Sequence, residues 1–80
     1  MAYQALSEAY PQNPDVWGEL GNVYFSLRQR EPASAAYSRC IELLVDQGEQ
    51  ARARQLLNVL YRLDAPKARE LEAQMQQVGG

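Results

Sequence analysis

Apolar residues recur in steps of three and four along most of the chain, the rhythm of amphipathic helices. Between residues 14 and 28 the stripe is Val16, Trp17, Leu20, Val23, Tyr24 and Leu27. Between 32 and 47 it is Ala33, Ala36, Tyr37, Cys40, Ile41 and Leu44, and between 49 and 63 it is Ala53, Leu56, Leu57, Leu60 and Leu63. Two narrower stripes flank these, Tyr3, Leu6 and Tyr10 within 2–10, and Ala68, Leu71, Met75 and Val78 within 66–78. No segment alternates with a period of two, so the pattern predicts an all-α chain of about five helices.

The breakers fall between the stripes. Pro11 closes the first segment, Asn13 suits an N-cap, and Pro14 suits a first helical position, where its missing N–H costs nothing. Pro32 starts the third segment and Gly48 ends it as a C′ residue. Asp64, Ala65 and Pro66 then separate the fourth from the fifth. Links of two to four residues force neighbouring helices to lie antiparallel, giving a string of αα-hairpins.

Self-comparison adds a period. A shift of 34 residues carries Tyr3 to Tyr37 and Tyr37 to Leu71, Leu6 to Cys40, and Tyr10 to Leu44 to Val78. The first, third and fifth helices share this register. The fourth matches the second only after sliding about two residues. The second helix also holds Gly18 and Gly21 in its interior, each costing about 1 kcal/mol relative to alanine.

The residues Trp17-x-x-Leu20-Gly21-x-x-Tyr24, followed by Ala33-x-x-x-Tyr37, resemble the tetratricopeptide repeat (TPR), a 34-residue helix-turn-helix unit. The resemblance implies antiparallel hairpins stacked as a short right-handed α-solenoid, in a single domain over 1–80 that is a fragment of a larger protein of the family. Residues 1–13 would be the end of a preceding repeat's second helix, 14–47 a full repeat, and 48–80 a degenerate terminal repeat with a capping helix. Trp17, Leu20, Gly21, Tyr24, Ala33 and Tyr37 would be repeat-packing residues, with Gly21 admitting a partner helix. Three positions depart from the pattern. Val45 replaces a closing proline, Arg28 stands where many repeats turn on glycine, and Leu56-Leu57 replaces the Leu-Gly pair, which implies wider helix spacing there.

The resemblance also implies a concave groove lined by the first helix of each repeat. Asp15, Gly18, Glu19, Asn22, Phe25 and Ser26 would face it or its edge, with Asn58 and Tyr61 near comparable positions on the fourth helix. Asn22 matches an asparagine that clamps a peptide's terminal carboxylate in chaperone-binding members. The lysine they place four residues earlier is Gly18 here, so the resemblance does not extend to that clamp, and the acidic Asp15 and Glu19 favour a neutral or basic segment instead. Gly18 reads either as a tolerated small residue or as a gap giving a ligand access to the backbone. Phe25, off the main stripe, reads either as a partner contact or as packing against an adjacent helix.

Composition narrows the function classes. The formal charge is −2, with opposite charges interspersed, unlike the basic stripe of a nucleic-acid-binding domain. Lone Cys40 falls on an apolar face and reads as a small buried hydrophobe. There is no histidine, no phosphate loop, no nucleophile–base pair and no ligand cluster, so neither catalysis, a metal nor a cofactor is expected. No apolar run is long enough to span a membrane and no signal-peptide pattern opens the chain, which predicts a soluble protein, cytoplasmic or periplasmic. Seven arginines against one lysine and abundant alanine suggest a GC-rich, bacterial source. The expected function is a protein-interaction scaffold holding a peptide or helix of another protein in its groove. The alternative is a self-assembly element, a homodimer stacking the exposed faces of its terminal helices, Tyr3, Leu6 and Tyr10 among them.

Overall fold

The computed structural model describes residues 12–79 and the single helical position Ala9 before them. The rest of the expected first helix, with Tyr3, Leu6, Tyr10 and Pro11, lies outside the described residues, as do the faces on which the expected homodimer rests. Among the described residues there are four helices and no strand: α1 (Pro14–Ser26), α2 (Arg30–Asp46), α3 (Gln50–Leu63) and α4 (Ala65–Gly79). All four follow the apolar stripes. Two boundaries differ from the pattern by two residues: α1 ends at Ser26 and not at 28, and α2 begins at Arg30, ahead of Pro32. A proline in the first turn removes only an N–H that has no intrahelical acceptor, so the helix can start before it.

The helix ends are defined by local hydrogen bonds. Asn13 Oδ1 accepts the Asp15 N–H at 3.0 Å and caps α1. The turns after α1 and α2 then repeat one geometry. Arg28 N–H donates to Phe25 O at 3.0 Å and Gln29 N–H to Tyr24 O at 2.9 Å; Gly48 N–H donates to Val45 O at 3.0 Å and Glu49 N–H to Leu44 O at 2.8 Å. Both are Schellman motifs, which need a left-handed C′ residue. Gly48 supplies it at φ 80° and Arg28 at φ 60°.

The α3–α4 junction is a single residue. Asp64 N–H donates to Leu60 O at 2.6 Å, ending α3. Its Oδ1 accepts the Lys67 N–H at 3.3 Å, starting α4, and its Oδ2 accepts the buried Ser34 hydroxyl of α2 at 2.9 Å. One residue therefore ties three helices together, α3 through its backbone and α2 and α4 through its side chain.

α2 is the central helix. It contacts α1, α3 and α4, whereas α1 and α3 have no Cα pair within 8 Å. The largest fully buried side chains are Ile41 and Leu44 of α2 itself with Leu60 of α3 and Leu71 of α4, joined in the core by Ala33, Tyr37, Cys40, Ala53, Leu57, Ala68 and Met75. Three pairs of positions related by 34 residues are both buried, Ser34 and Ala68, Tyr37 and Leu71, and Ile41 and Met75, whereas Ala36 and Cys40 are buried and Glu70 and Gln74 exposed.

The two glycines of α1 differ physically. A Cβ on Gly21 would lie 2.7 Å from both Cδ1 and Cε1 of Tyr37, closer than such atoms can approach. A Cβ on Gly18 would lie 3.5 Å from Cys40 Sγ, an ordinary contact. Gly21→Ala should therefore lower stability by about 1–3 kcal/mol through overpacking, while Gly18→Ala should raise it by about 0.5–1 kcal/mol through helix propensity. Urea unfolding of both variants at equal slope tests this, and equal effects of the two would refute the distinction. In the same assay Asp64→Ala should cost about 1–2 kcal/mol, since it removes a cap and leaves the Ser34 hydroxyl buried without its acceptor.

Candidate functional site

The separation of α1 from α3 leaves a groove of about 380 Å³ with α2 beneath it. Asp15, Gly18, Glu19 and Asn22 form the α1 wall, Arg52, Gln55, Leu56 and Val59 the α3 wall, and Cys40 lies between them. The groove is deep at its centre because Gly18 has no side chain, so the wall of α1 opens onto the Cys40 sulfur. Beyond Val59 it continues into a recess of about 280 Å³ lined by Phe25, Asn58, Val59 and Arg62.

The structure thus brings together six of the eight residues picked from the sequence: Asp15, Gly18, Glu19 and Asn22 in the centre, Phe25 and Asn58 further along. Ser26 is exposed at the end of α1 and lines neither part. Tyr61 turns the other way: it packs against the core and its hydroxyl donates to Glu72 Oε1 of α4 at 2.7 Å, a bond that raises its pKa. Among the packing residues, Leu20, Gly21, Ala33 and Tyr37 are buried, and Trp17 and Tyr24 lie half-buried against the core. Sequence inspection missed Arg52, Gln55, Val59 and Arg62. They follow one another in steps of three and four on α3, so a helical face was legible, but its mixture of charge, amide and one valine gave no apolar stripe to mark it.

Ion pairs fix one end of the groove. Arg52 Nη2 meets Asp15 Oδ1 at 2.6 Å across the gap, and Arg52 Nη1 meets Glu49 Oε2 at 3.1 Å. The hydrogen bond to Asp15, more than the two negative charges, raises the Arg52 pKa further. The carboxylate of Asp15 is therefore committed, while Glu19 on the same wall has no ion-pair partner among the described residues, so the rim keeps its acidic character. Asn22 is committed too, its Oδ1 accepting the Tyr37 hydroxyl at 2.5 Å. Burial, then the neighbouring Cys40, raises the Tyr37 pKa.

Cys40 Sγ donates to Pro14 O at 3.0 Å. Burial pushes its thiol up to about 11, against the lowering effect of Arg52. It is a protonated, packed side chain at neutral pH, because the thiolate is the reactive form. Among the described residues no three His, Cys, Asp or Glu side chains gather as a metal site, and no helix is long and apolar enough to cross a membrane.

No family model, curated protein or solved structure matches the chain.

The Cys40 environment has a pH consequence. The unfolded chain releases this proton near 9.0 and the folded chain near 11. Between those values the native state binds more protons, so stability is constant below the first and falls as pH rises toward the second. Tyr37, also raised, acts in the same direction at higher pH. Unfolding measured from pH 8 to 11 should show a shallower alkaline loss in Cys40→Ala than in the parent; identical slopes would contradict the assignment. A thiol reagent at pH 8 should label the parent only as fast as the chain opens.

Proposed function

We propose that the chain is a short right-handed α-solenoid of the tetratricopeptide kind, and that it acts as a protein-interaction module without catalysis. A peptide or helix of a partner protein lies in the groove between α1 and α3, on the floor provided by α2. The observation that carries this is the groove itself: two helix walls whose backbones do not meet, set on a central helix and bridged at one end by Arg52 and Asp15, with about 380 Å³ between them. Clefts of this size lined by a few polar groups are the usual form of a recognition site. The Gly21–Tyr37 approach supports the repeat assignment, since it joins two positions of the signature through a contact no larger residue could make. The absence of histidine and the protonated Cys40 thiol leave the groove without an imidazole or a thiolate, in keeping with binding alone.

In this mechanism the scaffold is rigid before binding, which keeps the ordering cost low, and a few anchors supply most of the affinity. The test uses peptides about twelve residues long, enough to follow a helical groove, selected from a random library on the immobilised chain. Gln55→Trp fills the groove from an exposed position and should weaken the selected peptides by about tenfold or more, roughly 1.4 kcal/mol, with an unchanged melt. Peptides that keep full affinity for Gln55→Trp would show that binding lies elsewhere.

A further inference from the structure

The two ends of the groove differ in charge. At the Asp15 end, Arg52 is held by two carboxylates. At the other end stands Phe25, 51% exposed, with Leu27, 53% exposed, beside it in sequence; these are the exposed large hydrophobic side chains among the described residues. Phe25 separates the 280 Å³ recess bearing Arg62 from a second of about 290 Å³ formed with Arg28, Gln29, Arg30 and Leu63. Among the described residues none of the three arginines lies within 4.0 Å of a carboxylate; Arg54 and Arg69 share this, but Arg28, Arg30 and Arg62 are the ones that line the recesses beside Phe25.

We propose that this end docks an acidic segment of a partner protein, one that carries a large apolar side chain flanked by carboxylates. The inference rests on the groove function proposed above and specifies its ligand. A half-exposed ring with a recess on either side, each holding one aliphatic side chain (Val59 or Leu63) beside polar ones, offers an anchor site. The arginines lining the recesses suit carboxylates in charge and in the planar, bidentate bonding a guanidinium can make. A basic segment would bring like charge to these arginines. Arg28 carries a further cost for being there: it holds the left-handed turn position that glycine holds at Gly48, and a non-glycine residue in that conformation costs about 1–2 kcal/mol. Three arginines at one end of a chain of net charge −2 form no stripe that could follow a polyphosphate backbone, which favours protein over nucleic acid.

The same peptide selection tests this. Enriched peptides should carry Asp or Glu beside Leu, Phe or Trp. The double variant Arg28→Gly/Arg62→Gln should weaken them about tenfold and reduce their sensitivity to salt, with the fold retained because glycine suits the turn. Phe25→Ala should weaken them independently. Enriched peptides that are neutral or basic, or that bind the arginine variant unchanged, overturn the proposal. If such peptides are still lost on Gln55→Trp, the groove function stands and only the ligand chemistry falls. If no peptide is enriched, both fall. A mixed single-stranded RNA that binds more tightly than the acidic peptides and displaces them would assign the arginines to phosphate and overturn the proposal as well.

Discussion

The arrangement depends on how closely α1 can lie on α2, and that distance is set where Gly21 meets the ring of Tyr37. With no Cβ in the way, the ring slides under α1 far enough for its hydroxyl to reach Asn22. One turn further along α2, Cys40 comes under Gly18 and bonds to Pro14 O. These contacts run in opposite directions along the two helices, so they fix an antiparallel register as well as a spacing. Close approach converts the helix penalty of a glycine into dispersion contacts spread over many atoms.

The groove follows from this approach and from the turns. The links on either side of α2 use the same pair of hydrogen bonds and the same left-handed residue. They leave α1 and α3 both resting on α2 without backbone contact with each other. Asp64 then holds the far end of α3 to α2 through Ser34, and Arg52 spans the gap at the near end. A chain of this size has little stability in reserve. Its binding surface is accordingly made from helix faces that the fold already positions, with Cys40 serving both as core and as groove floor.

Much of the fold was legible in the residues because helix periodicity is a local property. The stripes of α1 to α4, the Asn13 cap and the stop at Gly48 all depend on neighbours within a few positions, whereas Gly21, whose partner Tyr37 lies on the next helix, is marked only by the repeat motif. The site was legible on α1, whose motif anchors the numbering, and much less so on α3. There the slide of the stripe obscured which residues face α1, so Tyr61 was placed on the wrong side and Arg52, Gln55, Val59 and Arg62 were passed over. Asp64 looked like a simple breaker, since its bond to Ser34 spans 30 positions and leaves no mark on local pattern. The charge of the groove could not be read either. It depends on Arg52 meeting Asp15 across 37 positions, which sets one cation among the carboxylates of Asp15, Glu19 and Glu49.

The central claim is that Gly21 and the Tyr37 ring act as one steric unit, and a double-mutant cycle with Gly21→Ala and Tyr37→Ala measures that directly. The cost of alanine at position 21 should disappear once the ring is gone, leaving a coupling of about 1–3 kcal/mol between the two sites. If Gly21→Ala costs the same with and without the ring, the two positions are independent, and the close approach of α1 to α2 has some other cause.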